Sequence, residues 1–82
     1  MLALNADRLA VARALGARLG RSRAAYRATI QRAHRERAAV VEWLDVDGAP
    51  CAVSLPQPTA WRVRDGLVAQ GVRARITFNC PA

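Results

Sequence analysis

An α+β fold is predicted for this chain: a long N-terminal helix, bent or broken at its glycines, then a β-hairpin, a short helix and a third strand. The helices are expected to cover one face of a three-stranded sheet. Three observations predict this. Apolar residues recur at helical spacing through residues 1–37, and the period changes to two from Val40. A second period-two run, VRARITFNC, follows a helix-length stretch that closes on Gly71. The 82 residues make one small domain, 1–82, with a basic helical half (1–37) and a ββαβ half (38–82).

In the first half, Asn5 is a suitable N-cap, followed by good helix formers and an early acid, Asp7. At about 100° per residue, Val11, Leu15, Leu19, Tyr26, Ile30 and Ala33 fall on one stripe. Their spacing is kept across Gly16 and Gly20, which favours one long helix bent at the glycines. The competing reading ends a helix at Gly20 and caps a second one with Ser22.

From Val40, VVEWLDVDGAPCAVSL reads as a hairpin, with Asp47-Gly48 in a two-residue type I′ turn. That register pairs Val46 with Ala49, Leu44 with Cys51, Glu42 with Val53 and Val40 with Leu55 on the core face, leaving Glu42 as the misfit. The other face then carries Val41, Trp43, Asp45, Ala52 and Ser54. A slip of one residue exchanges the faces, so Trp43 is the sensitive test.

Pro56 and Pro58 end the second strand, and Thr59 is a plausible N-cap for AWRVRDGLVAQ. That helix would turn Ala60, Val63 and Leu67 inward, together with Trp61 and Val68. In the last strand Val72, Ala74, Ile76, Phe78 and Cys80 are expected inward, with Arg73, Arg75, Thr77 and Asn79 outward. A strand–helix–strand connection makes this strand run parallel to the second.

The net charge of +7 is unevenly placed. Residues 1–37 hold nine arginines against Asp7 and Glu36, whereas the four arginines of residues 38–82 are matched by four acids. An acidic partner should therefore meet the N-terminal half first. Every basic residue is Arg, whose planar fork binds carboxylate and phosphate in bidentate fashion. No stretch approaches the roughly 18 apolar residues that suggest a membrane span. The Arg-rich, acid-poor N-terminus loosely resembles a mitochondrial presequence, but reads better as the first helix of a domain. Cys51 and Cys80, without a secretory signal, point to a cytoplasmic protein with free thiols, although a bridge between two inward positions is also open.

Catalytic chemistry finds little footing. His34 sits among arginines, and both cysteines fall on inward strand positions, where Cys behaves as a small hydrophobe. The DVDG at 45–48 begins like a calcium loop, but the third acid is missing and its twelfth position is Pro56. One His and two distant Cys cannot assemble a zinc site. No catalytic residue, cofactor or metal is assigned.

The remaining candidates are partner-binding: Arg21, Arg23, Arg27, Arg32 and Arg35 on the helix, with Trp43, Arg73 and Arg75 on the outer sheet face. The helical arginines spread around everything outside the apolar stripe, as a solvated face would. Repulsion among them is relieved only by Glu36 with Arg32, so the surface suits an acidic partner. Trp43 beside two arginines could stack single-stranded bases or anchor a protein interface.

A short α+β chain with a one-sided charge surface (RSRAAYRATIQRAHRER), a plain hairpin (VEWLDVDGAPCAVSL) and an edge strand (RARITFN) is similar in format to small phage or mobile-element proteins, anti-CRISPR proteins among them. The resemblance implies a non-enzymatic inhibitor that occludes a surface of a CRISPR effector complex. It carries over no site residues. The expected partner is thus an acidic protein surface or a ribonucleoprotein such as that complex. Two other partners are weighed: nucleic acid contacted through the same arginines, and a second copy paired through the Leu15/Leu19/Tyr26/Ile30 stripe.

Overall fold

The computed structural model describes residues 2–20 and 22–79, with side chains over 9–20 and 22–77. The elements run α1 (Leu2–Leu15), α2 (Arg23–Glu36), β1 (Ala39–Leu44), β2 (Pro50–Leu55), α3 (Gln57–Ala69) and β3 (Ala74–Asn79). The α+β class therefore holds. The long N-terminal helix does not: two helices of 14 residues each stand in its place. α1 is already helical at Leu2, so Asn5 lies within it and not at its cap. Gly16, at φ 61°, ends α1 in the left-handed region, where a side chain would be strained. Ser22 then caps α2, its Oγ accepting from the Ala25 amide at 3.1 Å.

Between those helices the chain crosses an edge of the sheet. The Ala52 amide donates to the Ala17 carbonyl (2.9 Å) and the Leu19 amide to the Pro50 carbonyl (3.1 Å), so residues 17–19 form a short bridge alongside β2. The strand order is β2-β1-β3, with β1 antiparallel to both neighbours. β2 and β3 thus run parallel, as expected, with β1 between them.

The crossing at 17–19 explains why the apolar stripe misleads. Val11 and Leu15 belong to a core with Ala12, Ala17, Val41, Trp43, Cys51, Val53, Ala60, Leu67 and Val72. Leu19, Tyr26 and Ile30 belong to a second core with Ala33, Ala38, Val40 and Ala52. Helices therefore cover both faces of the sheet: α1 and α3 one face, α2 the other. The stripe proposed for self-pairing is split between opposite sides.

The hairpin is also out of the expected register, by one residue. β1 and β2 pair Val41 with Val53, Glu42 with Ala52 and Trp43 with Cys51. A type I′ turn needs positive φ at both Asp47 and Gly48, and only Gly48 (φ 81°) has it. The loop instead has three residues: the Gly48 amide donates to the Asp45 carbonyl (2.9 Å) and the Asp45 amide to the Ala49 carbonyl (2.9 Å). Side chains reinforce this loop, since Asp45 Oδ1 accepts from the Val46 amide (2.7 Å) and Asp47 Oδ1 from the Ala49 amide (3.0 Å). A one-residue slip turns every side chain over. Trp43, expected on the outer face, is 4% exposed in the first core.

Arg18 ties the crossing segment to this loop. Its guanidinium donates to Asp47 Oδ2 at 2.5 Å and lies 3.6 Å from Asp45 Oδ2, the Asp45 side chain being buried. The Ala49 amide and then Arg18 hold the Asp47 carboxyl below its ordinary range, and Asp47 raises the Arg18 guanidinium in turn.

α3 begins earlier than expected, at Gln57, with Pro56 at the N-cap in place of Thr59. Pro58 fits the first turn because its missing N–H has no helical partner there. Ala60 and Leu67 are buried, but Trp61 and Val68, expected inward, are 41% and 51% exposed. The helix closes at Gly71 as expected, the Val72 amide donating back to the Leu67 carbonyl at 3.0 Å. In β3 the alternation breaks. A register shift skips from Val41↔Ile76 to Val40↔Phe78, leaving Thr77 as an extra residue. Cys51 is buried in the first core, while Cys80 and the bridge it was expected to allow lie outside the described residues.

Candidate partner-binding groove

The face of the sheet under α2 is only partly roofed. α2 lies more over β2 than over β3, and packs on the sheet through Tyr26, Ile30 and Ala33. Beyond the roof, β1 and β3 floor an open groove of about 490 Å³. Register decides what the floor carries. Ala74 and Ile76 pack into the opposite core, so Arg73 and Arg75 alternate onto the α2 side with Glu42. Glu42 is paired directly with Arg75 across β1 and β3.

The walls come from elsewhere in the chain. Leu19 and Pro50, held together by their backbone hydrogen bond, form one end, with Leu44 beside them at 59% exposure. Tyr26 leans in from α2, and its hydroxyl donates to Glu42 Oε2 at 3.3 Å. Partial burial, and then the charge of Glu42, push the Tyr26 phenol above its ordinary value, while Arg75 pulls it back. Tyr26, Glu42 and Arg75 thus form one electrostatic cluster. Apolar walls with a few convergent polar groups are the usual makings of a binding site.

The groove continues along α2. Leu19, Tyr26 and Pro50 also line a shallow depression with Ser22 and Arg23, and Tyr26 lines another with Arg23, Arg27 and Ile30. Arg23 and Arg27, one turn apart and both exposed, therefore flank the same valley that Arg73 and Arg75 border on the β3 side. Four arginines meet one acid there, Glu42.

The other candidates sit apart. Arg35 borders a separate depression with Ile30, Gln31 and His34, and Arg32 is exposed outside this valley. Arg21 lies outside the described residues. Trp43 is a core residue and offers no exposed ring, so the stacking platform expected on the outer sheet face is not formed by it. The exposed tryptophan is Trp61, covered on one side by the Arg64 guanidinium at 4.7 Å from the ring centre.

Tyr26, Glu42 and Leu44 are not among the partner-binding residues expected from the sequence, which puts Tyr26 on the apolar stripe, Leu44 on the core face and Glu42 there as the misfit. A lone acid inside an otherwise apolar strand, read with Arg75 two places from another Arg, was the available signal. Among the described residues, no three His, Cys, Asp or Glu side chains are grouped to hold a metal ion, and no helix is long and apolar enough to cross a membrane. Comparison with known proteins finds no family model, no curated protein and no solved structure that matches this chain.

Proposed function

We propose that this protein is a non-enzymatic binding protein that lays the valley between α2 and β3 against an acidic surface of a larger assembly and blocks it. The observation that supports this reading is the ring of Arg23, Arg27, Arg73 and Arg75 around a groove with apolar walls and a single acid. Such a rim attracts carboxylates at long range and pairs with them at short range. The apolar walls at Leu19, Leu44 and Pro50 then add area whose burial favours association. Within this reading, the similarity in format to small mobile-element inhibitors makes a CRISPR effector complex the partner to test.

The experiment is co-purification of the tagged protein with type I and type II effector complexes, alongside phage interference in cells. Retention of a complex and loss of interference, both weakened by R23Q/R27Q/R75Q, is the expected result. Failure to retain any complex with interference unchanged removes the inhibitor reading. Binding to mixed DNA and RNA is measured in parallel across salt concentrations. A steep loss of affinity with salt would move the reading to direct phosphate contact.

A further inference from the structure

We propose that β3 takes up an extended acidic segment of a partner protein as an added strand, pairing along residues 73–76 with acidic side chains against Arg73 and Arg75. This rests on the acidic-partner reading and specifies how part of that partner is held.

The two edges of the sheet are treated differently. β2 is covered by residues 17–19 through two backbone hydrogen bonds. On the far side of β3, no described residue pairs with the strand. An open edge presents N–H and C=O groups that a further strand satisfies. The extra residue at Thr77 bends β3 and limits regular pairing to the stretch before it.

The side chains choose the occupant. Arg73 and Arg75 stand on one face, roughly 7 Å apart, because two residues separate them along a strand. An added strand sets its alternate side chains about 5 Å from them, within reach of a carboxylate. Glu42, already bonded by Tyr26, is the only acid in the groove and cannot neutralise both arginines. A second copy pairing edge to edge would bring four arginines together, which disfavours self-association. An acidic strand relieves the same repulsion with the side chains on the groove face, while its alternate side chains point to the other face of the sheet, beside Ala74 and Ile76.

The test uses the full-length ¹⁵N-labelled protein and the peptide acetyl-Glu-Val-Glu-Val-Glu-Val-amide. Amides within 73–76 should exchange more slowly with solvent when the peptide saturates the protein. The same peptide N-methylated at every residue keeps its charge but loses its ladder donors, and should bind at least about tenfold more weakly. R73Q/R75Q, both at exposed positions, should also weaken the unmodified peptide about tenfold while leaving the other amide resonances in place. Equal binding by the N-methylated peptide, or unchanged exchange across 73–76, overturns the proposal. Poly-glutamate separates the two readings: if it binds through Arg23 and Arg27 while β3 stays unprotected, strand addition falls and the acidic-partner reading stands. If it does not bind, both fall.

Discussion

At Arg37 the backbone adopts φ 52° and ψ 41°, the left-handed conformation that usually closes a helix on glycine. The position completes the end of α2, with the Ala38 amide donating to the Ala33 carbonyl at 2.9 Å and both alanines buried. A side chain there carries steric strain that glycine avoids, offset in part by the extra freedom of glycine in the unfolded chain. Arg37→Gly should therefore raise stability by about 0.5–1 kcal/mol, read as a higher urea midpoint. The two tryptophans give a second test at this scale. Trp43→Ala should cost about 3–5 kcal/mol, enough to unfold much of so small a domain, whereas Trp61→Ala should stay within about 0.5 kcal/mol. Tryptophan fluorescence in the Trp61→Phe protein checks the same point, since Trp43 should resist acrylamide quenching. A third test follows from titration. Asp47 has its carboxyl depressed in the folded state, so its contribution is complete above 3.8 and is lost as pH falls through the lower folded value. Arg18→Gln should flatten that acid limb of the stability–pH curve. Tyr26 has the opposite sign: its raised phenol supports folding below 10.0 and ceases to as pH rises through the higher folded value.

At the scale of elements, much of the order was legible and the pairing was not. Helix ends carry local chemistry, so Ser22 and Gly71 could be read from the sequence. The Asp47-Gly48 dipeptide is compatible with a two-residue turn or a three-residue one, and the choice shifts the register by one. The misplaced hairpin partners, those of Trp43 included, follow from that ambiguity. The apolar stripe failed for a different reason. Leu15 and Leu19 are both genuinely apolar and correctly spaced, but residues 17–19 carry the chain around the edge of β2, and no proline or polar run marks the crossing. Double coverage also blurs strand alternation, since consecutive Val40 and Val41 are both fully buried, one in each core. The groove depends on all of this. Tyr26, Glu42 and Arg75 come from three elements and meet only through the observed register. The buried Asp45 carboxylate, bonded to the Val46 amide and 3.6 Å from Arg18, backs the Arg18–Asp47 hydrogen bond that holds loop and crossing together. Asp45→Ala should cost about 1–2 kcal/mol and speed amide exchange at Leu19 and Ala52 together, because it loosens both.

For the whole molecule, a net charge of +7 on 82 residues already guarantees some attraction to any polyanion. What distinguishes a built surface from bulk charge is position. The valley proposal holds that Arg23, Arg27 and Arg75 act together around Tyr26 and Glu42, whereas Arg32, Arg35 and Arg62 contribute only to the overall charge. Replacing either trio by Gln removes the same three charges from exposed sites. The decisive measurement is the affinity of these two variants for poly-glutamate at about 100 mM salt, where distant charges are largely screened. The valley trio should lose at least about tenfold and the control trio less than about threefold. Equal losses would mean that the protein offers charge without a site.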